Sequence, residues 1–135
     1  MKAVFDTNVL IAAFLTEGLC AKLLLRARHN EFSLILCPFI LQEFRKFLQK
    51  KIKASNQEIE IAIKLLEEVA SEVNQPSISI NRTCRDVTDD NILKCALSSE
   101  SDYLVTGDDD LLILRKYGKI KIIKPRQFEE LFTDN

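Results

Sequence analysis

Short apolar runs of strand length alternate with longer stretches of helical periodicity, and this alternation constrains the fold more than any other feature. The strand-like runs lie at residues 3–5, 33–37, 77–80, 103–105 and 120–123. The runs at 3–5 and 103–105 are apolar throughout and the run at 33–37 is apolar after its first residue, which suits strands that are covered on both faces. We therefore predict an α/β fold in which a central, mostly parallel sheet of four or five strands lies between helices.

The stretches between these runs carry helix start signals. Pro38 is well placed as the first residue of a helix, and Ser55 with Glu58 three residues later has the pattern of a capping box. Further helices are predicted at residues 9–15, 19–27, 92–97, 111–114 and from 125 onward. The helix after Pro38 carries one apolar stripe, which comprises Phe39, Ile40, Phe44, Phe47 and Leu48. Core packing and a dimer face explain this stripe equally well.

Length and composition indicate one folded domain. The chain has 135 residues, of which 47% are hydrophobic, with no internal repeat and no linker, so we predict a single domain over residues 1–135. The 19 Lys and Arg residues nearly balance the 20 Asp and Glu residues, for a net charge of -1. This balance excludes a uniformly basic nucleic-acid binder and leaves room for local basic patches.

The four cysteines and the one histidine do not form a zinc-binding pattern. No two cysteines have the C-x-x-C spacing, and His29 has no partner at ligand spacing. The cysteines are interpreted as reduced thiols in a cytoplasmic protein. No stretch reaches the roughly 20 apolar residues that a membrane span needs, and the N-terminus does not have the pattern of a signal peptide. We therefore expect no association with a membrane.

Two carboxylates follow predicted strands. Asp6 comes directly after the first strand, and Asp108 follows residues 103–105 through a Thr106-Gly107 turn. Because ligands of open parallel sheets bind beyond the carboxyl ends of the strands, both acids are expected at the same edge. Asp108 could instead only shape its turn. Asp6 is harder to explain in this way, because it stands between a buried strand and a helix.

Two more acids are predicted near that edge. Asp89 lies at the start of a helix, and Glu43 lies among apolar residues of the helix after the second strand. Taken alone, Asp89 is better explained as a helix N-cap, and Glu43 could be a solvated residue. Together, several acids at one edge repel one another unless a cation compensates their charge. Ligation by oxygen alone suits Mg²⁺ or Mn²⁺.

Four features, in order along the chain, resemble the motifs of PIN domains. Residues 4–10 (VFDTNVL) resemble the opening motif, and Glu43 stands where the family has its second acid. Residues 89–97 (DDNILKCAL) are similar to the third motif, and residues 103–112 (YLVTGDDDLL) are similar to the fourth. Each motif is short and weakly specific, but four in order over nearly the whole chain are strong together.

This resemblance implies a PIN-like three-layer α/β/α fold with an acidic pocket for Mg²⁺ or Mn²⁺. The implied catalytic acids, which are also the implied metal ligands, are Asp6, Glu43, Asp89 and Asp108. The implied supporting polar residues are Thr7, Asn8, Asp90, Thr106 and Asp110. One departure is Cys37-Pro38 at the start of the helix that carries Glu43, where family members often have Ser or Thr.

Within the family, the chain particularly resembles the toxin components of toxin–antitoxin systems, the VapC-like ribonucleases. The resemblance implies a metal-dependent endoribonuclease that hydrolyses phosphodiester bonds in single-stranded RNA. It also implies a homodimer and a small antitoxin protein as partner. The alternative is a catalytically weak PIN-like module for RNA binding or scaffolding, against which the presence of all four acids argues.

Two basic clusters are predicted to hold the RNA backbone. One follows Glu43, and the other follows the fourth motif. The residues predicted to bind RNA are Arg45, Lys46, Lys50, Lys51, Lys116 and Lys119. Any single lysine is more often a solvated surface residue, so this prediction depends on the closeness of both clusters to the segments that carry the acids.

Two other folds with an acid at a strand end are disfavoured. A haloacid-dehalogenase-like phosphatase needs a second Asp two residues after Asp6, and Asn8 stands there. A phosphoacceptor receiver domain begins with a different order of elements, and its strand-end Lys has no matching context in this sequence.

Overall fold

A computed structural model describes residues 1–76 and 87–132 of the chain. The strands within these ranges are β1 (Lys2–Phe5), β2 (Ser33–Leu36), β3 (Glu72–Val73), β4 (Tyr103–Val105), β5 (Lys116–Tyr117) and β6 (Ile120–Ile123). The α-helices are α1 (Thr7–Leu15), α2 (Leu19–Arg28), α3 (Pro38–Phe47), α4 (Asn56–Val69), α5 (Val87–Ser98), α6 (Asp109–Leu112) and α7 (Pro125–Glu130). A π-helical turn, Leu48–Ile52, continues α3.

The strands form one sheet in the order β3-β2-β1-β4-β6-β5. All neighbouring pairs are parallel except β5 and β6, which form an antiparallel hairpin. Helices flank this sheet, so the predicted α/β architecture with a mostly parallel central sheet is confirmed. The described sheet has six strands, more than the four or five predicted, because two-residue strands extend both edges. The strand predicted at residues 77–80 lies outside the described residues, and β3 pairs with β2 at that edge.

The apolar runs form strands because they can be buried on both faces. Every residue from Ala3 to Phe5 is fully buried, as is every residue from Leu34 to Leu36. An aromatic cluster packs beneath the sheet: the Phe128 ring of α7 lies edge-on to Phe5, with 5.8 Å between ring centroids, and edge-on to Phe32 at 4.9 Å. The last helix is thus anchored to the first strand.

Two predicted helix starts are present. Pro38 is the first residue of α3, after Cys37 as N-cap. At α4, the Ser55 side chain accepts a hydrogen bond from the Glu58 backbone N–H at 3.1 Å, and the Glu58 carboxylate accepts one from the Ser55 N–H at 2.8 Å. This capping box is the one that the sequence predicts.

Most of the apolar stripe of α3 packs in the core. Ile40, Phe44 and Leu48 belong to the buried core, and Phe39 packs against it. Phe47 neither belongs to the core nor packs against it, so core packing explains the stripe except at Phe47. The physical reason is its position beside the line of Ile40, Phe44 and Leu48, where it borders an open cleft.

Three of the cysteines lie in the described ranges, and all three are free thiols. Cys37 and Cys95 are buried, and Cys20 is partly buried; Cys84 lies outside the described residues. No single described helix is long and apolar enough to cross a membrane. Helices α1 and α2 together have sufficient length and apolar composition, but they are bent by 98° relative to each other.

Candidate functional site

Two neighbouring parallel strands place Asp6 and Asp108 at one edge of the sheet. The last residue of β1, Phe5, is in register with the last residue of β4, Val105. The Asp6 N–H then donates to the Val105 carbonyl at 3.0 Å, so the carboxylate leaves the sheet where the strand pairing ends. Asp6 occupies the N-cap position of α1, but its side chain makes no capping hydrogen bond. Helix capping therefore does not explain this carboxylate.

The Thr106 hydroxyl forms hydrogen bonds with both acidic residues. Thr106 is completely buried, and its Oγ1 donates a hydrogen bond to Asp6 Oδ2 at 2.7 Å. The same oxygen accepts the Asp108 backbone N–H at 3.0 Å. One side chain thus sets both the direction of the first carboxylate and the start of the turn that carries the second.

Glu43 and Asp89 approach the same edge from helices. The Thr7 hydroxyl, in the first turn of α1, donates to Glu43 Oε1 at 2.8 Å, which holds the α3 carboxylate toward Asp6. Asp89 lies in the first turn of α5 and is only 4% exposed. The helix begins two residues before Asp89, so Asp89 is not its N-cap. Its burial also means that it is not a solvent-exposed residue of the first turn.

All four sequence-predicted acids line one cleft of about 280 Å³. The lining residues are Asp6, Thr7, Asn8, Ile11, Glu43, Phe47, Asp89, Ile92 and Asp108. Two of the predicted supporting residues, Thr7 and Asn8, thus contribute directly to the wall. Asp90 is buried but is not among the residues that line this cleft.

Three carboxylates come together within the reach of one cation. Oxygen atoms of Asp89, Asp108 and Asp110 lie within 4.8 Å of one another. Mg²⁺ holds its oxygen ligands at about 2.1 Å, so ligands on opposite sides of the ion are about 4.2 Å apart. A small contraction of the cluster would therefore suit a divalent ion. The donor set is oxygen only, which fits Mg²⁺ or Mn²⁺ better than a soft metal.

The position of Asp110 depends on a local hydrogen bond. Asp108 is the N-cap of α6, and its Oδ1 accepts the Asp110 backbone N–H at 2.9 Å. This cap holds the first turn of the short helix beside Asp108, and the Asp110 carboxylate lies in the cluster. The resemblance gives Asp110 only a supporting role, and no sequence pattern signals that its carboxylate joins those of Asp89 and Asp108.

Electrostatics at the cleft favour a bound cation. Burial raises the pKa of the Asp6 carboxyl above its usual value, and hydrogen bonds from Thr106 and the Thr7 backbone oppose that rise. The negative charges of Asp108 and Glu43 raise the pKa further. Such mutual repulsion among carboxylates is relieved by a divalent ion in their midst.

The predicted RNA-binding residues separate into two places. Arg45, Lys46 and Lys50 line a depression of about 580 Å³ that also includes Glu43 of the acidic cleft. Arg45 additionally forms a salt bridge with Glu60 of α4. A smaller depression of about 300 Å³ is lined by Glu43, Lys46, Phe47, Lys50 and Lys51. These basic residues therefore border Glu43, one of the four acids of the cleft.

Lys116 and Lys119 lie at the other end of the sheet. Lys116 pairs with Lys121, and Lys121 is in register with Tyr103, the first residue of β4. Lys119 lines a separate depression together with Glu100 and Asp102. The hairpin carries both lysines away from the carboxyl edge, so their position gives no support to their predicted role in RNA binding.

Comparisons with known proteins agree with this geometry. The family model described as PIN domain matches residues 2–110, while a comparison with curated protein sequences gives no significant match. The fold is similar to a chain in the crystal structure of VapBC2 from Rickettsia felis bound to a DNA fragment from their promoter. That similarity has a TM-score of 0.60 at 13% identity, over 92% of this chain and 98% of the other. The chain belongs to the PIN-domain family, whose members are generally metal-dependent nucleases.

Proposed function

We propose that this protein is an endoribonuclease that requires Mg²⁺ or Mn²⁺ and hydrolyses phosphodiester bonds in single-stranded RNA. The observation that carries the proposal is the convergence of Asp89, Asp108 and Asp110 within 4.8 Å, beside Asp6 and Glu43 in one cleft. Membership of the PIN-domain family supports a nuclease as the use of that cleft. The substrate class comes from the family resemblance.

The acids would hold the metal, and the threonines would hold the acids. Asp89, Asp108 and Asp110 are the best-placed ligands. Asp6 and Glu43 add two further carboxylates to the lining of the cleft. When bound, such an ion can activate water and stabilise the charge that develops on the phosphate. The hydrogen bonds from Thr106 to Asp6 and from Thr7 to Glu43 keep these carboxylates in fixed directions. Fixed ligands need less reorganisation during the reaction.

The burial of the acids favours a flexible strand as substrate. Asp6 is 5% exposed and Asp89 is 4% exposed, so a phosphodiester must enter the cleft to reach them. A single strand can bend one phosphate inward, whereas a duplex resists sharp bending. Asn8, which is exposed at the cleft wall, offers an amide group to a strand that enters.

We further propose that the protein is the toxin of a toxin–antitoxin pair in the cytoplasm, a homodimer held inactive by a small antitoxin protein. The similar fold in VapBC2 supports this proposal. The proposal predicts that a small protein is encoded beside this chain, and that co-expression of the two gives a stable complex with no nuclease activity. An adjacent protein that neither binds nor inhibits the nuclease would contradict the toxin assignment and leave the nuclease assignment standing.

The nuclease assignment is tested with purified protein and a labelled single-stranded RNA. Cleavage should require Mn²⁺ or Mg²⁺, should stop in EDTA, and should be lost in Asp6→Asn, which keeps the side-chain shape and removes the charge. Cleavage by Asp6→Asn at the wild-type rate would place the activity outside this cleft. RNA binding without cleavage under any metal condition would instead favour a PIN-like binding module.

A further inference from the structure

Phe47 is the one phenylalanine in the described ranges that the hydrophobic core does not explain. It neither belongs to the core cluster nor packs against it. Among the described residues it also makes no ring contact with another aromatic side chain. A single partly exposed apolar ring is common on protein surfaces, so the significance of Phe47 lies in the surfaces that it borders.

Phe47 stands between the acidic cleft and a basic depression. It lines the cleft that contains Asp6, Asp89 and Asp108, and it also lines the depression of about 300 Å³ beside it. Glu43 is the other residue common to both. The two concave surfaces are therefore adjacent, and a chain that occupies one can reach the other across the Phe47 ring.

The depression carries three lysines and one acid, Glu43, and the lysines are not ion-paired within the described residues. Lys46, Lys50 and Lys51 line it, and none of them forms a salt bridge with a residue that the structure describes. Arg45, by contrast, pairs with Glu60. Lys50 and Lys51 lie in the π-helical turn. Lys46 lies one turn earlier, in α3.

We propose that Lys46, Lys50 and Lys51 bind the phosphate that neighbours the scissile phosphate of the strand, and that Phe47 stacks the nucleobase between the two phosphates. This inference rests on the proposed function for the identity of the strand. Lysine heads neutralise a backbone phosphate, and an aromatic face accepts any of the four bases. The site therefore holds single-stranded nucleic acid independently of its sequence and needs an unstacked base, which a duplex does not offer.

Binding without metal isolates this site from cleavage. Fluorescence anisotropy of a labelled eight-nucleotide oligouridylate in EDTA would compare the wild type with Phe47→Leu, Phe47→Tyr and Lys50→Gln. Phe47→Leu should weaken binding about fivefold or more, because base stacking on the ring is lost, and Phe47→Tyr should retain it. Lys50→Gln should reduce the slope of log affinity against log salt by about 0.7. Lys64→Gln, at an exposed lysine of α4, should bind like the wild type.

Two results would overturn the proposal. One is binding by Phe47→Leu and Lys50→Gln that equals the wild type in affinity and salt slope. The other is displacement of the RNA by a polyglutamate peptide as effectively as by unlabelled oligouridylate of equal charge, which would make an acidic protein segment the occupant. If Phe47→Leu is poorly folded by its unfolding midpoint, the affinity and salt slope of Lys50→Gln still decide the question.

Failure of this site and failure of the nuclease assignment give different results. A wild type that cleaves RNA with Mn²⁺ while the variants bind normally contradicts only the site at Phe47. A wild type that never cleaves, while Phe47→Leu and Lys50→Gln weaken binding as stated, contradicts only the nuclease assignment and supports the binding site.

Discussion

Thr106 donates a buried hydrogen bond to Asp6, from Oγ1 to Oδ2, at 2.7 Å. The bond joins the residues that directly follow the paired strands β1 and β4. It is formed by a side chain with no exposed surface, so water cannot replace it. The hydrogen bond therefore holds the Asp6 carboxylate against the end of β4.

Replacing Thr106 by valine should destabilise the protein. The substitution keeps the shape but leaves the buried Asp6 carboxylate without its hydroxyl donor, and bonds to charged groups contribute about 1.5–3 kcal/mol. We expect the free energy of unfolding to fall by about that amount in urea titrations with EDTA, and Thr106→Ser to restore most of it. A valine variant as stable as the wild type would show that this hydrogen bond does not stabilise the fold.

Divalent metal should stabilise the folded protein through Asp108. Mn²⁺ at 100 times its dissociation constant should add about 2.7 kcal/mol to the free energy of unfolding. Asp108→Asn should keep the metal-free stability, since Asn also caps helices and one like charge is removed, but it should lose the gain from Mn²⁺. An equal gain in the variant would exclude Asp108 as a ligand.

Acid should weaken the attachment of α7 through Glu129. Its hydrogen bonds and ion pairs with Arg26 and Lys22 lower the pKa of Glu129 from 4.5 to about 2. A carboxyl with a depressed folded pKa stabilises fully above its unfolded value and loses that contribution as pH falls toward the folded value. The stability difference between wild type and Glu129→Gln should therefore shrink as pH falls from 4.5 toward 2. A difference that stays constant across this range in denaturant titrations would contradict the assignment.

The helix beyond the family match should be essential to the fold. The PIN-domain match ends at residue 110, yet Phe128 is fully buried and packs against Phe5 of β1. Phe128→Ala should reduce the free energy of unfolding by about 3–5 kcal/mol, and Phe128→Leu by less. Leu131→Ala, at a site 48% exposed, serves as the control with little effect. A small loss in Phe128→Ala would mean that α7 is dispensable.

The positions of Asp6 and Asp108 could be predicted because strand ends determine them. Once residues 3–5 and 103–105 are taken as neighbouring parallel strands, the polar residues that follow must meet at one edge. Asp110 could not be placed in the same way. Its approach to Asp89 depends on a side-chain cap at Asp108 that shapes a four-residue helix, and sequence patterns do not fix such short-range geometry.

The basic residues show a second limit of sequence reasoning. Lys50 and Lys119 both follow segments that carry acids, and closeness along the chain suggested the same role for both. The hairpin of β5 and β6 returns the chain to the amino end of β4. Lys119 therefore lies at the opposite end of the strands from the acids. Phe47 is the converse case: helical periodicity put it on one stripe with the core residues Ile40 and Phe44, while tertiary packing left it at the cleft.

The central claim is that the converging aspartates form the metal site of an RNA-cutting enzyme. Its most direct test is single-turnover cleavage of single-stranded RNA in Mn²⁺ by the wild type, Asp89→Asn, Asp110→Asn and Asp109→Asn. Asp109 is the exposed neighbour outside the cluster. We predict a loss of about a hundredfold or more in the first two variants and a near wild-type rate in Asp109→Asn. Equal rates in all four proteins, or cleavage that continues in EDTA, would contradict the account.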